Sequence, residues 1–427
     1  MNILATADLH LGRQSSNLPK GLPESSVAFT LNRLVNLAID ETVDALLISG
    51  DMIDRDNRYY EAVGQVQRAF ERLGEAGIPV AMVSGNHDYD VLPDIVKNRE
   101  YEHVHLLGGK GRWESTIVET RGGELQLVGW SFPAQHVMDD PLIQLRPDEL
   151  ALNPNLTTIG LLHGDLYDQK SQYAPLDMSG FSNRQIQAWV IGHIHKPEIL
   201  QNTNPLVFYP GSPQALSSKE PGSHGAVLLS IDGDRISHTA VPISPVKYET
   251  IQMDVSDISN QSDFRNHLSS VMETFVQHHI AELENVQYLV YDVEMTGEHS
   301  NLKALDEWSA LADELEQQMA SEITVSVRKV INLAEPAVGN LQELAQQPTP
   351  PGLLARLIVE LESGDESEIL NTLLSKQTRE ISRINRSSTY RPLGRFENQI
   401  PESEESSREL LLKESRRLLG ELLSQKE

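Results

Sequence analysis

A chain of 427 residues carries 62 acidic and 35 basic side chains, a formal net charge of −27, and no cysteine. That charge argues against general nucleic-acid binding, which draws on clustered cations that release counterions, while the missing thiols exclude disulfides and thiolate metal sites. The length asks for two or three domains, with ample core in the first.

Met1 leads directly into an apolar run at 2–7 with no basic segment or cleavage site, so neither a signal peptide nor a membrane span is expected and the protein reads as cytoplasmic. The run is rich in β-formers and ends at Asp8-Leu9-His10. A helical pattern at 25–42 follows, then a strand at 45–49 ending at Gly50-Asp51, a second helical pattern at 59–76, and a strand at 78–83 ending at Gly85-Asn86-His87-Asp88. This β-α-β-α-β start implies a right-handed, mostly parallel sheet. Further strands at 158–162 and 188–191 end at His163-Gly164 and Gly192-His193-Ile194-His195. Every polar cluster thus follows a strand, where open α/β sheets bind their ligands.

Strands at 226–231 and 236–241 close this first region, and Pro242 and Pro245 punctuate the chain. A compact α/β module follows: strand 248–255, helix 262–280, strand 286–294, helix 302–320 and strand 323–331. Its second helix carries Asp306, Glu307, Asp313, Glu314 and Glu316, a face unsuited to a phosphate backbone. Pro348, Pro350 and Pro351 mark a linker to helices at 352–361 and 366–384, parted by Gly364-Asp365. Lys376, Arg379, Arg383 and Arg386 fall on one face of the second, followed by Arg391 and Arg395. That stripe is either a DNA contact or a solvated face and dock for an acidic partner. After a polar stretch at 401–407, Leu411, Leu412, Leu418, Leu419, Leu422 and Leu423 form an apolar stripe on a last helix, which needs a partner or a fold-back to cover it. The boundaries read as 1–245, 246–335 and 336–427.

Carboxylate, imidazole and amide oxygen without thiolate suit manganese first, with iron(II), magnesium or zinc as alternatives, and one bridging acid would hold a pair about 3.5–4 Å apart. Asp51 is the natural bridge. Such a pair activates water at neutral pH and clamps phosphate oxygens, which is the chemistry of phosphoester hydrolysis. Gly108-Gly109-Lys110-Gly111 is a turn, since no GxxxxGK[ST] pattern surrounds it.

In their order, DxH, GD, GNHD, HG and GHxH, these clusters resemble the calcineurin-like metallophosphoesterases, and more narrowly the SbcD and YhaO branch of DNA repair exonucleases, relatives of the Mre nucleases. The segment Gly50-Asp51-Met52-Ile53-Asp54-Arg55-Asp56 lacks the glycine that follows the arginine in protein Ser/Thr phosphatases, and Asp88 stands where those enzymes have Glu. Tyr173-Ala174-Pro175 and Tyr209-Pro210-Gly211-Ser212-Pro213-Gln214 also resemble the nuclease branch.

The resemblance implies an α/β fold, a four-layer αββα sandwich with a small α/β capping domain and a helical C-terminal tail. By motif, Asp8, His10, Asp51 and His195 would hold one metal, and Asp51, Asn86, His163 and His193 the other. His87 would be the general acid or transition-state donor, oriented by Asp88. Arg55 is a candidate DNA contact, although an ion pair with Asp54 is the plainer reading of both. The resemblance further implies DNA as substrate, an SMC-like ATPase partner of the SbcC or YhaN kind bound by the tail, and pairing of two copies through the N-terminal helices. The function it implies is a two-metal phosphodiesterase, a DNA exo- or endonuclease in repair. A small-nucleotide phosphodiesterase and a scaffold regulating the ATPase stand as alternatives, the complete ligand set arguing against the scaffold.

Overall fold

The apolar runs that precede the polar clusters pair side by side as parallel strands. In the computed structural model, which describes the chain apart from residues 20, 58–60, 100, 183–184, 234, 311–315, 319–322, 338–339, 365–366, 387–402 and 425–427, β1 (Asn2–Thr6), β2 (Ala45–Ser49), β3 (Val80–Val83) and β4 (Val104–Leu106) lie in sequence order. A second sheet contains β5 (Glu114–Thr120), β6 (Gly123–Gly129), β7 (Thr158–His163), β8 (Ala188–Gly192), β9 (Glu198–Asn202) and β10 (Leu206–Tyr209) in the order β5-β6-β7-β8-β10-β9. β11 (Gly225–Asp232) and β12 (Arg235–Pro242) complete the first sheet by antiparallel pairing on β1. β2, β3, β7 and β8 are buried along their whole length, as strands covered on both faces must be.

Side chains alternate along a strand, so each sheet feeds two cores. Ile3, Ala5, Leu47 and Val83 meet Leu127, Ile159, Leu161, Val190 and Phe208 between the sheets. On the opposite face of the first sheet, Leu4, Leu46, Ile48 and Met82 pack against α1 (Val27–Asp40) and α2 (Glu61–Glu75). Ser26 caps α1 by accepting from the Ala28 N–H at 3.3 Å, and Val27, Leu31, Leu34, Val35 and Ala38 give the helix its buried stripe. α3 (Leu92–Arg99) adds Leu92 and Ile95 to this core.

Over the outer face of the second sheet the fourth layer is made of 3₁₀ turns and loops. Pro141–Gln144 and Met178–Phe181 supply Leu142 and Phe181 to a core around Trp189, and no α-helix lies between α3 and residue 261 among the described residues.

The chain divides into two compact units, Met1–Glu249 with Phe275–Tyr291 and Glu316–Arg328, and Thr250–Thr274 with Asp292–Leu315 and Lys329–Glu427. A four-stranded sheet runs in the order β13 (Val246–Asp254), β14 (Tyr288–Thr296), β17 (Thr324–Asn332) and β16 (Glu316–Gln318). α4 (Gln261–His278) and α5 (Leu302–Ser309) accompany it, and β15 (Glu298–His299) pairs with β18 (Glu335–Pro336). The helix expected at 302–320 therefore stops at Ser309. Glu316–Gln318 is instead a strand, antiparallel to β17, because its backbone completes a sheet edge that a charge pattern cannot reveal; Asp313 and Glu314 fall outside the described residues.

The second unit ends in α6 (Leu341–Leu344), α7 (Pro350–Ser363), α8 (Glu368–Arg386) and α9 (Glu404–Ser424). Thr349 caps α7 ahead of Pro350 and Pro351, and Gly364, with φ of 76°, terminates it in the left-handed region that favours glycine. The leucine stripe of α9 is covered within this unit: Leu419 and Leu412 pack on Ala355 and Ile358 of α7, and Leu411 and Leu412 on Leu361, Leu370 and Leu374. Leu418 remains exposed. Of the alternatives for the tail, the structure takes the fold-back. No described helix is long and apolar enough to cross a membrane.

Because Leu419 is fully buried, Leu419→Ala should destabilise the chain by about 2–5 kcal/mol. Urea denaturation followed by circular dichroism checks this, and an unchanged midpoint would mean that α9 does not pack on α7.

Candidate metal centre

The loops after β1 and β2 run together: the Asp8 N–H donates to Gly50 O at 3.1 Å and the His10 N–H to Asp51 O at 2.9 Å. To turn inward, Asp8, His10 and Asp51 adopt φ of 52°, 50° and 50°, and His193 adopts 99°. Non-glycine residues avoid this region at a cost of about 1–3 kcal/mol each, so strain is concentrated where chemistry-bearing side chains are aimed. Two glycines provide the space. A Cβ on Gly50, at φ 85°, would collide with the His163 ring, and one on Gly192 would collide with Ser49 O.

Five side chains from four strand tips then converge. Asp51 Oδ2 lies 3.4 Å from His163 Nε2 and 3.8 Å from His10 Nε2; His10 Nε2 and His195 Nε2 are 3.0 Å apart; Asp8 Oδ1 is 3.8 Å from His163 Nδ1. Asn86 enters through its Oδ1, 3.1 Å from His163 Nε2. Ligand atoms of Asp8, His10 and His195 lie within 4.8 Å of one another, as do those of His10, Asp51 and His87, and of Asp8, Asp51 and His163. The His193 N–H donates to both oxygens of Asp8 at 3.0 Å, while its Nε2 is 3.7 Å from Asp165 and its ring packs on His163 and Tyr173.

The tautomers decide what this cluster can hold. His163 Nδ1 donates to Ser49 O at 3.1 Å, His195 Nδ1 to Glu220 Oε1 at 2.8 Å, and His10 Nδ1 lies 3.4 Å from Asp54 Oδ1. With Nδ1 as the donor, the neutral His163 and His195 rings each keep a lone pair on Nε2, which lies 3.1 Å from Asn86 Oδ1 in one and 3.0 Å from His10 Nε2 in the other. Buried acceptors set against acceptors are costly unless a cation lies between them, so the donor set fits divalent cations with nitrogen and oxygen ligands. Burial outweighs the Asp51 and Asp8 charges and lowers the His163 pKa. Asp51 is penalised by burial, yet His163, His10 and His87 hold its carboxyl below the usual range.

Two carboxylates carry roles that motif reading assigns otherwise. Asp88 was expected to orient His87; its Oδ1 instead accepts from the Gly85 N–H at 2.8 Å and its Oδ2 from the Met52 and Ile53 N–H groups at 2.7 and 3.3 Å. It therefore ties the loop after β2 to the loop after β3. Burial and the neighbouring Asp51 push its pKa up to about 7 against those three amides. The carboxylate at His87 is Asp54, whose Oδ1 lies 3.4 Å from His87 Nδ1 as well as from His10 Nδ1. Asp54 is thus an ion-pair partner of imidazoles and not of Arg55. Its signal in the sequence is the position three residues after Asp51, on the same loop. Although burial lowers the His87 pKa, the Asp54 hydrogen bond and the Asp51, Asp54 and Asp88 charges together raise it.

Arg55 is exposed on the 3₁₀ turn Arg55–Asn57, its backbone N–H 3.3 Å from His87 Nδ1. Lys376, Arg379 and Arg383 are exposed on α8, and Arg383 pairs with Glu380 at 2.9 Å. The Arg386 side chain, Arg391 and Arg395 lie outside the described residues.

Paired sheets whose strand tips gather aspartate, histidine and asparagine around a cation-sized focus define a metal-dependent phosphoesterase. Residues 1–197 match the model of the calcineurin-like phosphoesterase family, and this part of the chain is a calcineurin-like metallophosphoesterase domain, a family whose members bind two divalent metals. The metallophosphoesterase YhaO of Bacillus subtilis is 29% identical over 271 residues, 61% of this chain and 65% of that protein. The DNA double-strand break repair protein Mre11 of Sulfurisphaera tokodaii is 25% identical over 61% of this chain and 67% of its own. The SbcD component of the Bacillus subtilis nuclease SbcCD is 25% identical over 54% of this chain and 66% of its own. The chain thus spans about two thirds of the length of the curated relatives it matches.

Gly192→Ala should force the two sheets apart at Ser49, costing about 1–3 kcal/mol and weakening metal uptake. Thermal unfolding with and without manganese reads both effects, and an unaltered midpoint would show that the tips separate freely.

Proposed function

We propose that the chain is a two-metal phosphodiesterase acting on DNA, with Asp8, His10, Asp51 and His195 holding one cation and Asp51, Asn86, His163 and His193 the other. The observation that carries this is the convergence of ligand atoms: His10 Nε2 lies 3.0 Å from His195 Nε2, His163 Nε2 lies 3.1 Å from Asn86 Oδ1, and ligand atoms of Asp8, Asp51 and His163 fall within 4.8 Å of one another. Manganese is the first candidate, on ligand type. When bound, such cations neutralise phosphate charge and make water acidic enough to attack at neutral pH.

The chain's own contribution is placement and a proton. In the imidazolium form, His87 Nδ1 donates toward Asp54; in the neutral form it can accept from the Arg55 N–H at 3.3 Å. Only the imidazolium can give its Nε2 proton to the departing oxygen, leaving a neutral ring; the neutral Nε2–H form can do no more than hydrogen-bond to it. Asp88 holds the loop bearing His87 against the loop bearing Asp51. DNA as substrate is supported by the names of the relatives, a repair protein and a nuclease component; an SMC-like ATPase is the proposed partner, reached through exposed helical surface of the tail. Lys376, Arg379, Arg383 and Arg386, with Arg55, are the proposed DNA contacts. The charge of −27 favours a second reading, a small nucleotide diester that needs no extended cationic track.

One assay separates them: manganese-dependent cleavage of end-labelled linear duplex beside a small chromogenic diester, with Asp51→Asn as blank. Duplex shortened from its ends supports the first reading; diester turnover with intact duplex supports the second; turnover of neither sinks both. In the same assay His87→Ala should lose about 10²- to 10⁴-fold in turnover while metal content by elemental analysis stays unchanged. Loss of metal would remove His87 from the role of proton donor.

A further inference from the structure

Glu220 stands outside all five polar clusters, on the loop between β10 and β11. Its Oε1 accepts from His195 Nδ1 at 2.8 Å and its Oε2 from the Leu216 N–H at 2.7 Å, so both oxygens are committed and the carboxylate cannot swing away. The loop is itself held, since the buried His224 ring lies between Ser212 O, 2.9 Å from its Nδ1, and Glu220 O, 3.2 Å from its Nε2, and can donate to one of them, and Leu216 O accepts from the Ser16 N–H at 2.9 Å. The side chains of His195 and Glu220 are 22% and 16% exposed, which leaves their hydrogen bond only weakly screened.

The groups that face Nδ1 differ among His163, His10 and His195. For His163 it is a backbone carbonyl at 3.1 Å, for His10 a carboxylate at 3.4 Å that its side of the cluster shares with His87, and for His195 a dedicated carboxylate at hydrogen-bond distance. The bond made by one ring nitrogen decides which nitrogen carries the proton, and a carboxylate there also makes the other nitrogen a stronger ligand. We propose that Glu220 is a positioning residue that holds His195 in the Nδ1-protonated tautomer and so sets the divalent-cation affinity of the Asp8, His10 and His195 group. This rests on the two-metal reading above. It also predicts an asymmetry, because removing Glu220 touches one cation position and leaves the His163 and Asn86 side intact.

The test uses the full chain with manganese as the probe. Calorimetric titration of Glu220→Ala should find one of two ions bound about 10- to 100-fold more weakly and the other as in the parent. In the metal-free protein, long-range ¹⁵N–¹H spectra of the histidine rings, with His195→Gln to assign the signal, should show His195 moving from the Nδ1–H to the Nε2–H tautomer. A purely structural role for Glu220 would not move that signal. Glu220→Gln, whose amide oxygen still accepts from Nδ1, should keep the tautomer and recover most of the affinity. Glu220→Ala with two ions at parental affinity and an unmoved tautomer overturns the proposal. Should Glu220→Ala fail to fold, Glu220→Gln decides: the Nε2–H tautomer at parental affinity overturns it equally. The two readings fail separately, since His195→Gln that keeps both ions removes the metal assignment of His195, whereas loss of an ion there with none in Glu220→Ala removes only Glu220.

Discussion

Ser49 is where the two sheets are pinned together. Its carbonyl accepts from His163 Nδ1 at 3.1 Å and its hydroxyl donates to Val190 O at 2.8 Å, so the tip of a strand in the first sheet is bonded to two strands of the second. This contact needs Gly192, whose missing side chain leaves room for the Ser49 carbonyl. Every distance in the metal cluster depends on it, because Asp8 and Asp51 come from one sheet and His163 and His195 from the other. Were the sheets to slide, the cluster would dissolve into separate surface carboxylates and imidazoles.

Bringing these groups together works against stability. Left-handed backbone at Asp8, His10, Asp51 and His193 is strained, and lone pairs buried against lone pairs repel. The core between the sheets and the helix-covered core behind β1 to β3 supply the compensating burial. Asp88 and Asp54 perform the local work: one binds three backbone N–H groups across two loops, and the other faces two imidazoles. Cations bound at the focus would relieve the repulsion, so the apo cluster is poised for metal by electrostatics as well as by ligand type.

The second unit obeys simpler rules. α7 is capped by Thr349 and ended by Gly364, and α7, α8 and α9 bury apolar residues against one another. What α8 leaves outside is Lys376, Arg379 and Arg383, opposite the buried Leu370, Leu374 and Ile381.

The sequence by itself determined the strands that lead into the polar clusters and the order of those clusters, because a buried parallel strand is a continuous apolar run and a site at its carboxyl end is the polar residue that follows. The strand-end positions of Asp8, His10, Asp51, Asn86, His163, His193 and His195 were legible for that reason, and so were α1, α7 and the break at Gly364. Tertiary structure alone decided that Asp54 and not Asp88 faces His87, that Glu220 closes on His195 from 25 residues away, that Glu316–Gln318 is a strand, and that α9 folds back on α7. Periodicity records which face of an element is apolar and which residues end it. Partner choice for a carboxylate, a strand edge or a leucine stripe is settled by what the fold carries to within about 3 Å of it, a hydrogen-bond distance that no local pattern encodes.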